Sequence, residues 1–363
     1  MNTPDAGFVI LGRMKSLRYR VIWGTVLSVT IAAAGVLGFR VLFASRKPTA
    51  PACPMSQGLA FGCYEAYYSS IVGREGVGEA FVDLKARYPT DPRVQALCHA
   101  ITHHIGQAAF RKYSDISAAF LHGDNVCGSG YYHGVLEGLA SRMGREKLLS
   151  NLDSICAGMP GKERYSLDYY NCVHGLGHGI MAITGDELFD ALHHCDKLTG
   201  SVEQTTCDNG VFMENLIVDG EHGGNFSRYL KPAEPLYPCT VVERKYKPAC
   251  LEIQTSYALG AVRGDVAKVF ALCADLEMSF RSTCYQSIGR DAATISLNRV
   301  PGTVATCNLG IDYEQRSNCI TGAVLDFVYY YHGSAQALEL CAALDQDLRR
   351  VCRSTVAKVV GRF

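Results

Sequence analysis

The stretch AQALELCAALDQDLRRVCRSTVAKVV, residues 335–360, decides the fold. Ala335–Leu344 is an apolar helical segment that carries Cys341 late in its run. Asp345–Arg350 is polar, and Cys352 then opens a second apolar segment, Ser354–Val360. Apolar residues at helical spacing, without alternating β-branched runs, predict two helices joined by a short connection. One cysteine sits near the end of the first helix and one near the start of the second. A helical hairpin brings such positions within disulfide reach.

The same plan recurs upstream. Cys307 and Cys319 flank a polar stretch, and so do Cys273 and Cys284. Cys53/Cys63, Cys156/Cys172, Cys195/Cys207 and Cys239/Cys250 complete the pairs, and Cys98 and Cys127 stand singly. The later cysteine of each pair, with Cys98 and Cys127 fitted in, recurs about every 36 residues, the mark of a repeat architecture. The predicted fold is all-α, with about nine disulfide-stapled helical hairpins in a curved solenoid or α/α toroid. Pairing Cys98 with Cys127 uses all 16 cysteines and leaves no free thiol. Each short loop closed in this way contributes roughly 2–3 kcal/mol in the chain-entropy picture. No C-x-x-C occurs, so a zinc-finger reading is excluded.

So many paired cysteines imply an oxidising compartment. The route there is predicted at the N-terminus. Residues 1–20 form a cytoplasmic tail and 21–43 a transmembrane signal-anchor, whose uncharged heart is Val21–Phe39 (VIWGTVLSVTIAAAGVLGF). Residues 44–52 form a linker, and 53–363 the extracytoplasmic repeat domain. The flanking basic residues are too balanced to orient the segment, so the cysteines do so. A cleaved signal peptide is the rival reading, with only Phe43-Ala44-Ser45 as a weak processing site. Lysine plus arginine and aspartate plus glutamate number 35 each, which gives no argument for a nucleic-acid partner. Membrane association and an unidentified substrate or protein partner are the expected interactions.

Eleven histidines are present, and most cluster in units two to four. Aligned on the cysteine, the helices read CHAITHHIG from Cys98, CGSGYYHG from Cys127, CVHGLGHG from Cys172 and CDNGVFMEN from Cys207. The sixth position after the cysteine is His104, His133 and His178, then Met213 with Glu214 beside it. Later units place Ser256, Arg290, Leu325 and Lys358 there. A repeat that only packs does not need those imidazoles. His99/His103, His133/Glu137 and His174/His178 are each four apart, so each pair shares one helix face. His104 (or His103), His133, His174 and His178 are therefore the expected metal ligands, with Glu137 or Glu214 as a fourth ligand or general base. The donor set suits Zn, Fe, Cu or Mn. Glycine follows His133, His174 and His178, for close helix approach or for ligand access. Cys172-Val173-His174-Gly175 resembles, with one residue inserted, the Cys-His-Gly element of zinc-dependent α/α-toroid cyclases, which is an architectural analogy alone.

His122, His222 and His332 are expected to be structural, and His193-His194 to cap a helix end. Tyr131, Tyr132, Tyr169 and Tyr170 lie close to the expected site, and Tyr132, beside His133, is the one of most interest. Asp219–Pro238 is read as a loop insertion that either covers the histidine face or is merely tolerated on the surface. No phosphate loop, H-E-x-x-H, G-x-S-x-G or haem-attachment motif is present. The competing function is a non-enzymatic scaffold whose concave face binds a protein or peptide, with the histidines as packing between repeats.

Overall fold

The hairpins expected from the cysteine spacing are present in the computed structural model. It describes Cys53 and residues 57–124, 126–221, 227–331 and 333–360. The expected anchor and linker fall within residues 1–52, outside the described residues. Among the described residues no helix is long and apolar enough to cross a membrane. These residues form 17 α-helices and no strand.

The first helices are α1 (Gln57–Arg74), α2 (Val77–Arg87), α3 (Pro92–Tyr113), α4 (Ile116–Phe120), α5 (Gly130–Met143), α6 (Arg145–Leu149) and α7 (Leu152–Ile155). Next come α8 (Leu167–Ile183), α9 (Leu188–Cys195), α10 (Ser201–Glu221), α11 (Lys247–Ala261) and α12 (Val266–Ala274). The last are α13 (Met278–Ile295), α14 (Val300–Cys307), α15 (Tyr313–Tyr331), α16 (Ala335–Ala342) and α17 (Gln346–Val360). The long helices α1, α3, α5, α8, α10, α11, α13, α15 and α17 each pack on the next in that order.

All eight disulfides form as the spacing predicted. From Cys195 onward, all but Cys239 join the end of a short helix to the first turns of the following long one. Cys239 lies instead in a turn before α11. Cys98–Cys127 differs from the expected link between two helices. Cys127 precedes α5 in a turn where Cys127, Gly128 and Ser129 have φ of 58°, 70° and 63°. Left-handed backbone cannot open a helix, so α5 begins only at Gly130.

Local chemistry sets the helix starts that matter. Asp91 caps α3 through Arg93 N at 3.0 Å, with Pro92 in the first turn. Ser166 caps α8 through Tyr169 N. The part of the expected insertion from Ser227 on is turn-rich, as anticipated. Its contacts run to Asn215 through Ser227, to Glu187 through Tyr229, and from Gln254 to the carbonyls of Pro235 and Tyr237.

Glycines set how closely neighbouring long helices approach. A Cβ on Gly106 of α3 would strike the Tyr131 carbonyl of α5, and one on Gly134 would strike the His103 carbonyl in return. Gly177 and Gly210 repeat this reciprocal contact between α8 and α10, and Gly289 and Gly322 repeat it between α13 and α15. Gly175 and Gly179 likewise face His133, Leu136 and Ala140 of α5. Close packing is thus the observed role of the glycines beside the histidines. Gly134→Ala is expected to cost about 2–3 kcal/mol, because its methyl would meet backbone that cannot swing away. Gly260→Ala, in open space within α11, should instead gain about 0.5–1 kcal/mol. Urea midpoints of the two variants check both signs.

Asp208 on α10 is buried at 4% exposure. Burial foremost, with Asp196 adding to it, pushes its carboxyl up from 3.8 to about 8. The folded state therefore keeps this proton after the unfolded chain has lost it. Its contribution to stability is full below pH 4 and is lost as pH rises towards 8. Thermal melts across that window should show a shallower decline for Asp208→Asn than for the parent protein.

Candidate metal centre

Three consecutive long helices and a fourth beside them build one buried histidine cluster. α3 supplies His99 and His103, α5 supplies His133 and Glu137, α8 supplies His174 and His178, and α10 supplies Glu214. His103, His133, His174 and His178 are at most 2% exposed, and His99 is partly exposed. The His133 ring lies 4.3 Å from His178 and 4.5 Å from His174, centroid to centroid. It lies 5.3 Å from both His99 and His103. Three groups have ligand atoms close enough to share one ion: His99–His103–His133, His133–His174–His178, and His103–Glu137–His178–Glu214.

The outward nitrogens of three rings are tethered. His99 Nδ1 lies 2.6 Å from the Cys127 carbonyl oxygen, so Nδ1 carries a proton and donates. His103 Nδ1 lies 2.5 Å from Glu137 Oε1. Burial works to raise the Glu137 pKa, but His103 and the Gln107 amide, which donates to Oε2 at 2.7 Å, hold it lowered. Glu137 is therefore an acceptor. His178 Nδ1 lies 2.6 Å from Glu214 Oε2.

With these protons placed, the inward nitrogens converge. His99 Nε2 and His103 Nε2 are 3.0 Å apart, and His178 Nε2 and His174 Nε2 are 3.1 Å apart. Both nitrogens of the first pair face each other with their rings' Nδ1 protons already committed, so only a proton or a metal cation between them reconciles the contact. Burial, and then His103, lowers His99 to about 3, and the same causes lower His174 to about 3. Burial and the surrounding imidazoles drive His133 and His178 well below the usual histidine value. These four rings are neutral at pH 7 and so keep lone pairs for a metal. His133 Nδ1 is buried without a hydrogen-bond partner. A buried polar atom left that way costs about 1–3 kcal/mol unless something satisfies it.

The Cys127 carbonyl reaches His99 because of the left-handed turn before α5. Gly130 then lets that helix start against the His99 backbone, since a Cβ there would meet the His99 carbonyl oxygen at 2.6 Å.

Of the expected ligands, the structure gathers His103, His133, His174 and His178. His104 lies beside the cluster rather than in it, with Glu65, His103, Glu137 and Gln107 as its electrostatic neighbours. His99 takes the place expected for it. Its spacing of four from His103 was the available signal. The two glutamates are present, each with an oxygen spent on an Nδ1, which suits an orienting carboxylate better than a general base. His194 lies between Asp190 and Lys197 at the end of α9, and His122 stacks on Tyr113, both in line with structural roles. His222 and His332 lie outside the described residues. Tyr132 packs edge-on against Phe120 and Tyr131.

No family model, curated protein or solved structure matches this chain. The site therefore has to be read from its own geometry. In metal-free protein at pH 7, long-range nitrogen–proton NMR should show Nδ1 protonated on His99, His103 and His178. An Nε2-only proton on any of the three would contradict the tether derived for it.

Proposed function

We propose that this chain is a transition-metal-binding protein of an oxidising compartment, anchored by residues 21–43, with its disulfide-stapled hairpins stacked as a curved helical array. The eight disulfides support the compartment. The single observation that carries the metal reading is the His99–His103 pair. Both Nδ1 atoms are bound to acceptors, and both Nε2 atoms point at one spot. Metal-ligating histidines characteristically donate their other ring N–H to a carboxylate or a backbone carbonyl, which fixes tautomer and direction.

His99, His103 and His133 would hold the ion, with His174 and His178 completing or extending the set through the shared His133. Glu137 and Glu214 act as positioning residues on His103 and His178. An imidazole-rich set suits Zn, Cu or Fe better than the all-oxygen preferences of Mg or Ca, and Mn remains within the donor range. Such an ion would supply Lewis acidity or electron transfer. The protein's own part is to keep the rings unprotonated, oriented and largely shielded from water.

The test is elemental analysis of the full chain, purified with its disulfides formed and reconstituted separately with each of these metals. Near-stoichiometric metal is expected in the parent protein. His99→Ala and His133→Ala should fold and lose it, and His104→Ala should retain it. Glu137→Gln should bind roughly 10–100-fold more weakly, as changes to orienting partners do. A parent protein that takes up none of the four metals, and whose melting none of them shifts, would overturn the reading.

A further inference from the structure

A second chemical environment lies next to the histidine cluster. A cavity of about 410 Å³ opens between α8, α10, α11, α13 and α15. That volume falls in the range of small-molecule sites. Its chemistry comes from Tyr165, Tyr170, Tyr329, Glu252, Asp326 and Arg290.

The charges are unequal. Arg290 is the one cation among the lining residues, and its charge is already answered. Its Nη2 lies 2.6 Å from both Asp291 Oδ1 and Ser256 Oγ, and its Nη1 donates to the Glu252 carbonyl. Asp291 also accepts from Thr255 Oγ1 and Ser256 Oγ, which closes a self-contained network. The two lining carboxylates have only neutral donors. Asn209 Nδ2 reaches Glu252 Oε2 at 2.9 Å, and Asn298 Nδ2 reaches Asp326 Oδ2 at 2.6 Å. Among the described residues neither carboxylate forms an ion pair. The surrounding protein raises both, Asp326 to about 6, and Arg290, shared with Asp291, offsets this only in part. Beside them the rings of Tyr170 and Tyr329 lie nearly parallel, tilted by 20° with centroids 6.4 Å apart. Electron-rich ring faces attract cations, and most strongly when water is excluded.

We propose that this cavity binds a small organic cation, an alkylammonium or quaternary ammonium group, against Tyr170 and Tyr329 with Glu252 and Asp326 answering its charge. A bare metal ion is the poorer occupant: no group of ligand atoms close enough to hold one occurs among the cavity's described residues. An anion would meet two carboxylates and a guanidinium already engaged. Tyr170 stacks on His174 with ring centroids 5.6 Å apart, so cavity and cluster share a wall. The cation site nevertheless needs no metal, and the two readings stand or fall separately.

The experiment is calorimetric titration of the full chain, disulfides formed and metal removed. The probes are tetramethylammonium and butylammonium, with butanol and butyrate as neutral and anionic counterparts. Saturable binding of at least one cation is expected, with butanol and butyrate clearly weaker. Asp326→Asn and Glu252→Gln should each weaken it roughly tenfold, about 1.4 kcal/mol. Glu252 is solvent-accessible at the cavity wall, so its variant tests the idea even where Asp326→Asn fails to fold. Absence of saturation with both cations, equal binding of butyrate, or unchanged affinity in folded variants would overturn the proposal.

Discussion

Backbone-to-backbone contact at paired glycines is the constraint on which the rest depends. Where Gly106 meets α5 and Gly134 meets α3, neither helix has room for a single methyl group. Helices that close bring side chains on the flanking positions into contact whatever their chemistry. His103 precedes Gly106 by three residues and His133 adjoins Gly134, so the imidazoles have no choice but to meet. The Gly177–Gly210 contact does the same for His178 and Glu214. The reciprocal contact recurs at Gly289 and Gly322, where no histidine is near in sequence. The crossing therefore belongs to the scaffold, and the histidines are an addition carried on three of its helices.

Burying that addition is costly, which is why its polar atoms are so thoroughly directed. Imidazoles and carboxylates taken from water lose hydration that only hydrogen bonds, protons or metal can restore. Here a backbone carbonyl, Glu137 and Glu214 each take one Nδ1, and Gln107 steadies Glu137 in turn. The arrangement tethers His99, His103 and His178 from outside, leaves His133 Nδ1 and His174 Nδ1 without a partner, and brings the Nε2 atoms of each pair together. A packing role would be served as well by rings that hydrogen-bond in both directions. Two Nε2 atoms aimed at each other, with their Nδ1 protons already committed, are better explained by something between them.

Much of this was legible because cysteine position is a one-dimensional record of hairpin geometry. The period and pairing of the cysteines specified the helices and the bridges, including Cys98–Cys127, since short loops leave few other partners. Ligand identity on α3 was less legible. Aligning on Cys98 selects His104, but Cys127 sits in a left-handed turn outside its helix, so the cysteine is not an equivalent ruler for units two and three. Spacing of four carried the better information, and it names His99 with His103. The role of the glutamates was hidden for another reason. Sequence places a carboxylate near an imidazole without saying which ring nitrogen it faces, and that choice separates a ligand or base from a positioning group. The cavity was not visible at all, because Glu252, Arg290 and Asp326 come from three helices with no shared motif.

The column of positions six after each cysteine shows how one scaffold accommodates two chemistries. His133 and His178 occupy it where the cluster stands. Met213, Arg290 and Leu325 occupy it where the cavity stands. Helices that pack in the same way in both regions present the same positions to their surroundings, so exchanging the residue at one register changes the local chemistry without disturbing the crossing. The boundary falls at α10, where Asn209 bonds Glu252 while Glu214, five residues on, holds His178. One helix thus serves the cluster with its carboxylate and the cavity with its amide. The histidine cluster and the cavity meet at Tyr170, whose ring stacks on His174 and lines the cavity.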